Sequence, residues 1–102
     1  MEDDENEFGA PLDAEEAAAV NALTREDIAA IDDALLGAIS SNWSKVAMVL
    51  AKQMKSRPGV PEDVPLEFYW NRLCNMVARG DLNSQGNLRR ARFSEVRRAT
   101  IR

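Results

Sequence analysis

The chain has 102 residues, of which 45% are hydrophobic, and a formal net charge of −4 with an isoelectric point near 4.8. This length and composition are typical of one globular domain, and no apolar run approaches the roughly 18 residues that span a bilayer. The absence of histidine and the single cysteine, Cys74, argue against a disulfide, a zinc site, a cofactor and most catalytic arrangements.

Residues 1–22 are predicted to form an acidic tail. Their start is acidic where a secretory signal would be basic and then apolar, so we expect a cytoplasmic protein. Residues 1–11 are polar, with only Phe8 able to bury much apolar area, and this composition predicts disorder. Residues 13–22 are rich in alanine behind a capping aspartate, which predicts a short helix that is frayed at best.

The folded domain is predicted to span residues 23–102. Thr24 is placed to cap its first helix, with Asp27 three residues later as the second half of a capping box. The helix should run to about residue 39, before residues 40–42 interrupt it. Its apolar face consists of four residues at helical spacing: Ile28, Ile31, Leu35 and Ile39.

A second helix is predicted from an N-cap at Ser41 or Asn42 to Lys55. Five apolar residues at three- and four-residue spacing would form its buried stripe: Trp43, Val46, Ala47, Leu50 and Met54. Residues 58–65 follow with three prolines, which predict a stiff connection rather than a flexible lid.

The third helix is predicted over residues 66–79, with Pro65 marking its start and Gly80 its end. Its apolar stripe contains six residues: Leu66, Tyr69, Trp70, Leu73, Met76 and Val77. We expect a core in which four large side chains are buried together: Trp43, Leu50, Trp70 and Leu73.

The C-terminal part is predicted to form a β-hairpin, with one strand at 81–85 and a turn at Gly86. Residues 88–92 fit either a helical turn or an extended strand; a short turn at 88–91 and a strand at 93–99, with Val96 facing inward, is the preferred prediction. The predicted fold class is therefore mainly α with a small hairpin, a three-helix core like a winged helix-turn-helix with a C-terminal wing.

Charge is strongly segregated along the chain. Residues 1–34 contain twelve acidic residues and one arginine, a net charge of −11, whereas residues 71–102 contain eight arginines and two acidic residues, a net charge of +6. We define the basic ribbon as the predicted hairpin with Arg89, Arg90, Arg92, Arg97 and Arg98. These five, with Arg72 and Arg79 on the third helix, are the candidate anion-binding or partner-binding residues.

Three stretches form a recognisable pattern: Ile-Asp-Asp-Ala-Leu-Leu in the first domain helix, Trp-Ser-Lys-Val-Ala from Trp43, and Arg-Leu-Cys-Asn-Met-Val-Ala-Arg-Gly-Asp-Leu from Arg72. This pattern resembles the bacterial domain-of-unknown-function family 3658. The resemblance continues through Gly-Asn-Leu-Arg-Arg-Ala-Arg-Phe-Ser-Glu-Val-Arg from Gly86 and covers about residues 23–99. It implies a winged-helix-like domain of bacterial origin, and it implies no activity, because the family has no established catalytic residues.

Two hypotheses of function follow from the charge pattern. In the preferred one, a non-enzymatic module docks an acidic protein partner, or its own N-terminal tail, on the basic ribbon. In the alternative, the ribbon arginines contact nucleic-acid phosphates, although the third helix offers few base-reading side chains. The simplest interpretation of each single arginine is a solvated charge, some of them paired with Glu95 across the hairpin. An enzyme is disfavoured, since Cys74 has no histidine to activate it and the adjacent carboxylates lie on wet faces.

Overall fold

The computed structural model describes residues 7–55, 61 and 63–99. In these ranges the protein is mainly helical with a small antiparallel sheet, which confirms the coarse fold class. The helices are α1 (Ala14–Asn21), α2 (Arg25–Gly37), α3 (Val46–Lys55) and α4 (Leu66–Arg79). The strands are β1 (Ser44–Lys45), β2 (Leu82–Gln85) and β3 (Glu95–Arg98), and a short 3-10 turn covers Ala91–Phe93.

Both N-terminal helices begin with a capping box. Asp13 and Glu16 exchange side-chain-to-backbone hydrogen bonds at the start of α1. Thr24 and Asp27 do the same at α2, which confirms the predicted start of that helix. Each box satisfies two backbone N–H groups that have no partner inside the helix. No residue of α1 is buried, as its small apolar side chains lead one to expect.

Helix α4 has the bounds that the sequence predicted. Pro65 precedes it in an extended conformation, and Gly80 ends it with a φ of 90°, in the left-handed region that glycine tolerates best. Tyr69, Trp70 and Leu73 are buried along one side of this helix, together with Met76. Helix α4 therefore provides the largest single share of the core.

The start of α3 differs from the prediction. Residues 42–45 are not helical: Ser44 pairs with Val96 and Lys45 with Glu95 in an antiparallel ladder. These pairs satisfy backbone N–H and C=O groups of β3. Pairing with a strand so distant in sequence cannot be predicted from helical periodicity. The helix begins only at Val46, whose N–H donates to the Ser94 carbonyl (3.0 Å).

Two residues of the predicted α3 stripe do not lie in the core as expected. Trp43 was expected in the core but precedes β1 and is only partly buried, with the Arg97 guanidinium 4.4 Å from its ring centroid. Met54 is 54% exposed, so its predicted burial is also wrong. The other expected core residues, Leu50, Trp70 and Leu73, are buried.

The sheet has the strand order β1-β3-β2. Strands β2 and β3 form the predicted hairpin, in a register that pairs Leu82 with Arg98 and Ser84 with Val96. The second strand is shorter than predicted, because the 3-10 turn occupies the residues just before Ser94. Val96 faces inward and is fully buried, as expected.

The core lies between the sheet and the faces of α2, α3 and α4. Val64, just before α4, is also buried, while four of the eight residues of the predicted stiff connection, 58–60 and 62, lie outside the described residues. No helix within the described part of the chain has the length and apolar character needed to cross a membrane.

Candidate functional site

Three of the seven candidate arginines are engaged in holding local structure together. Arg72 donates two hydrogen bonds to Asp32 (2.9 and 2.7 Å), which tie α4 to α2, and this hydrogen bonding raises the pKa of Arg72. Arg79 contacts Asp81 at the end of the same helix (2.8 Å). Arg98 donates to the carbonyls of Ile39 and Leu36, where a cation stabilises the C-terminal end of α2.

Two further arginines lie over aromatic rings. The Arg97 guanidinium covers Trp43, and the Arg90 guanidinium lies 4.6 Å from the ring centroid of Phe93. Such cation–π contacts are typically worth about 0.5–1 kcal/mol at exposed sites, which is enough to favour one orientation of the arginine side chain.

Arg89 and Arg92, on the connection between β2 and β3, contact the start of the described chain. We call residues 7–9 the N-terminal arm. The backbone N–H groups of Glu7 and Phe8 both donate to the Arg89 carbonyl (2.6 and 3.2 Å). The Glu7 carboxylate accepts a hydrogen bond from Arg92 Nε (2.8 Å). The chain thus brings an acidic residue of its own onto the basic ribbon.

The arm is anchored by Phe8. Its ring stacks on Trp70 with the ring centroids 5.6 Å apart and the planes 10° from parallel. The Trp70 indole is itself fixed, because Nε1 donates to the Leu88 carbonyl (2.9 Å). Residues 1–11 were predicted to be disordered. In the structure residues 7–9 make these contacts, and stacking against a fixed indole favours an ordered conformation there; residues 1–6 lie outside the described part.

Gly9 is the last residue of the arm, and its backbone lies close to Glu67 and Arg89. Its N–H donates to Glu67 Oε2 (2.7 Å), on α4. Its φ is 107°, and a Cβ here would lie 2.8 Å from Arg89 Nε, nearer than nonbonded atoms normally approach. A side chain at this position would therefore require both backbone strain and movement of Arg89.

An open apolar groove of about 340 Å³ adjoins the arm. Its walls are mostly apolar residues of α3, together with the first residue of α4 and one residue of the 3-10 turn: Ala47, Leu50, Ala51, Met54, Leu66 and Ala91. Glu7, Phe8 and Arg92 also border it, so an ion pair and an aromatic ring lie at its edge. The groove has the size and chemistry to accept an apolar side chain next to an acidic one.

Cys74 lies on α4 near the arm and is only partly buried. Burial, and to a lesser extent the charge of Glu67, raise the pKa of its thiol to about 11, with Arg89 acting in the opposite direction. The thiol is therefore protonated at neutral pH and unsuited to act as a nucleophile. Among the described residues, no three or more Cys, Asp or Glu side chains are grouped so as to hold a metal ion.

The predicted site residues therefore do not form one cluster. Arg89 and Arg92 meet at the arm, and Arg90 lies between them in the chain; Arg72 faces α2, and Arg98 lies at the end of that helix. Glu7, Phe8 and Glu67 were not among the predicted site residues. The available signal was Phe8, a lone aromatic residue in an otherwise polar segment. Glu95, the expected partner of arginines across the hairpin, accepts a hydrogen bond from Gln85.

Comparison with known proteins finds no matching family model, no matching curated relative and no matching solved structure.

Proposed function

We propose that this chain is a non-enzymatic bacterial interaction or regulatory module whose basic ribbon docks an acidic protein partner. The observation that best supports this proposal is the arm. An acidic segment of the chain itself lies on the ribbon, joined to Arg92 through a carboxylate and to the Arg89 carbonyl through two backbone N–H groups. The arm uses only a carboxylate, backbone groups and an aromatic ring, which many acidic protein segments provide.

The local density of positive charge favours the same part of the ribbon. Arg72 and Arg98 are engaged within the domain by Asp32 and by backbone carbonyls. The connection between β2 and β3 carries three arginines within four residues: Arg89, Arg90 and Arg92. The Arg92 side chain is 74% exposed even when paired with Glu7, so it can meet a partner without refolding of the domain.

We also propose that residues 23–99 form a winged helix, as the resemblance to family 3658 implies. The element order α2, β1, α3, α4, β2, β3 with the strand order β1-β3-β2 supports this assignment. In this fold α4 would be the helix that enters a DNA groove, which keeps nucleic-acid binding as the alternative function.

The side chains of α4 give DNA binding less support. Its most exposed positions include Asn71 and Asn75, while Arg72 and Arg79, at the flanks of that face, already contact carboxylates. Helices that read bases usually present several unpaired Arg, Lys, Asn or Gln side chains.

A pair of titrations tests the proposal. The probes are a labelled peptide with the sequence of residues 1–12 and a short labelled duplex of mixed sequence. The proteins are the native full chain and a full chain with Phe8→Ala, which frees the ribbon from its own arm. Each is measured by fluorescence anisotropy at about 50 and 200 mM salt, because charge-dependent binding weakens as salt rises.

The decisive variants add Arg89→Gln, Arg90→Gln and Arg92→Gln to the Phe8→Ala chain. The matched control adds Arg25→Gln, Lys52→Gln and Lys55→Gln, which removes the same charge from exposed positions elsewhere. We expect the peptide to bind the Phe8→Ala chain and the control, and to be lost from the arginine variant. We expect no measurable duplex binding by the native chain near physiological salt.

Nucleic acid would be the better assignment if the native chain bound the duplex tightly and the arginine variant lost that binding. The salt slope should then fall by about 0.9 for each phosphate contact removed.

A further inference from the structure

The arm is an internal example of what the ribbon binds, and the features of its contacts define a ligand. It is not helical and bends at Phe8, it places a carboxylate on Arg92, and it places an aromatic ring against Trp70. A glycine follows the ring, where the backbone passes Arg89 and its N–H reaches Glu67. A ligand bound through charge alone would need neither the aromatic ring nor the glycine.

A partner must displace this arm before it can use the same contacts. The arm is part of the same chain, so its effective concentration at the site is on the order of millimolar. A separate segment that made only the same contacts would compete poorly at micromolar concentration. An additional contact is needed, and the apolar groove beside Glu7 and Phe8 provides one.

We infer that the partner of the basic ribbon is a non-helical acidic segment with an aromatic anchor and one further apolar side chain, which fills the groove beside α3 and displaces residues 7–9. This inference rests on the proposed function and identifies the ligand class for that same site. The groove's volume of about 340 Å³ has room for a leucine-sized side chain. The Glu7–Arg92 ion pair at its edge explains why the occupant should also be acidic.

The aromatic anchor is tested with peptides of residues 1–12 titrated onto the full-length Phe8→Ala chain. A second receptor, the full-length Glu7→Gln chain, retains the native Phe8 and loses only the carboxylate. We expect the Phe8→Ala peptide to bind at least about tenfold more weakly than the parent peptide. Binding should shift the NMR signal of the Trp70 indole N–H, because the aromatic ring stacks on that indole.

The groove is tested with two peptides that keep the charge and add leucine on either side of the arm sequence, Asn6→Leu and Ala10→Leu. We expect at least one of them to bind about tenfold more tightly than the parent and to displace the arm of the native chain. Adding Ala51→Phe to the receptor should abolish this gain, because Ala51 lines the groove at an exposed position.

The outcomes separate the two proposals. Equal binding by the parent and Phe8→Ala peptides would overturn the aromatic anchor, and unchanged binding by both leucine peptides would overturn the groove contact. In either case, peptide binding that still requires Arg89, Arg90 and Arg92 would leave the proposed function standing. Failure of every peptide to bind either receptor would overturn both.

Discussion

Arg72 and Arg79 lie two turns apart on α4, and each contacts an aspartate, but their surroundings differ. Arg72 binds Asp32 through two nitrogens, and the exposed fractions of the two side chains are only 22% and 19%. Arg79 and Asp81 are 48% and 45% exposed and only two residues apart in sequence. Solvent screens the second pair, while the first joins two helices with directed, charge-assisted hydrogen bonds.

Replacing Arg72 should therefore destabilise the fold more than replacing Arg79. We expect Arg72→Gln to lower the free energy of unfolding by about 1–3 kcal/mol, because it leaves the partly buried Asp32 carboxylate without its partner. The matched variant Arg79→Gln should change it by less than about 0.5 kcal/mol. Urea denaturation of both variants measures the difference, and equal midpoints would contradict the structural role of Arg72.

The raised pKa of Cys74 has a direct chemical readout. A rise from the ordinary value of 9.0 to about 11 lowers the thiolate fraction at neutral pH by about a hundredfold, and only the thiolate reacts with iodoacetamide. We expect alkylation of the folded protein to be correspondingly slow at pH 8 and to accelerate up to about pH 11. Mass spectrometry after timed labelling measures the rate, with the urea-unfolded chain as the control.

The same shift makes stability depend on pH in a defined direction. The unfolded chain loses the thiol proton near pH 9, before the folded protein does. The contribution of Cys74 to stability is therefore complete below pH 9 and declines as the pH rises toward 11. A melting temperature that increased over this interval in the native chain, relative to Cys74→Ser, would contradict the shift.

At the scale of the elements, the β2–β3 hairpin depends on a close approach at Gly86. Its φ is 85°, and a Cβ there would lie 2.5 Å from the Phe93 carbonyl oxygen. Gly80 has a similar φ of 90° but open space around it, and Gly37 has neither constraint. Substitutions at the three glycines therefore distinguish the cost of a positive φ from the cost of a steric clash at the new Cβ.

We expect alanine substitutions to follow that order. Gly37→Ala should be neutral or slightly stabilising, because alanine favours a helix. Gly80→Ala should cost about 1 kcal/mol for its left-handed conformation. Gly86→Ala should cost more than Gly80→Ala, since the hairpin must also shift away from the new methyl group. Thermal unfolding of the three variants measures the order, and equal losses at Gly80 and Gly86 would exclude the close contact.

Local signals explain which elements the sequence could predict. The ends of α4 depend on Pro65 and Gly80, and the start of α2 depends on Thr24 and Asp27; each lies within a few residues of the boundary it sets. Strand β1 depends on β3, about fifty residues further along the chain, so helical spacing around Trp43 was misleading. A two-residue strand leaves almost no pattern of its own.

The candidate site shows the same limit. Composition and charge identified the arginines of the ribbon, because a dense group of like charges is visible in the sequence. The sequence did not reveal that Asp32 and two carbonyls occupy Arg72 and Arg98. It also did not reveal that Phe8 finds Trp70, because this contact joins residues that only the folded chain brings together.

At the scale of the whole molecule, the arm links the acidic start of the chain to its basic end. The arm makes both polar and aromatic contacts, so salt should weaken only part of its attachment. The Glu7–Arg92 pair is exposed to screening, whereas the Phe8–Trp70 stack is not electrostatic in origin. The arm should therefore stay docked at salt concentrations that suppress binding of charged ligands.

Phe8→Ala should release the arm and lower the free energy of unfolding by about 1–2 kcal/mol, from lost stacking and apolar burial. Phe93→Ala is the matched control: it removes the same side chain from a site that is 61% exposed, should cost only about 0.5–1 kcal/mol from its contact with Arg90, and should leave the arm docked. Hydrogen exchange provides a second measurement, because the Glu7 and Phe8 amides should lose protection only in Phe8→Ala. Unchanged protection in that variant would show that Phe8 does not anchor the arm.

The arrangement of the sheet also affects how the protein behaves at high concentration. Its two outer strands are β1, which has only two residues, and β2, which exposes the polar residues Asn83, Ser84 and Gln85. Aggregation through sheets begins when an outer strand offers a long, apolar row of free backbone groups to a second molecule. Both edges of this sheet are poor templates for such pairing, so intermolecular β-sheet growth should require prior unfolding of the domain.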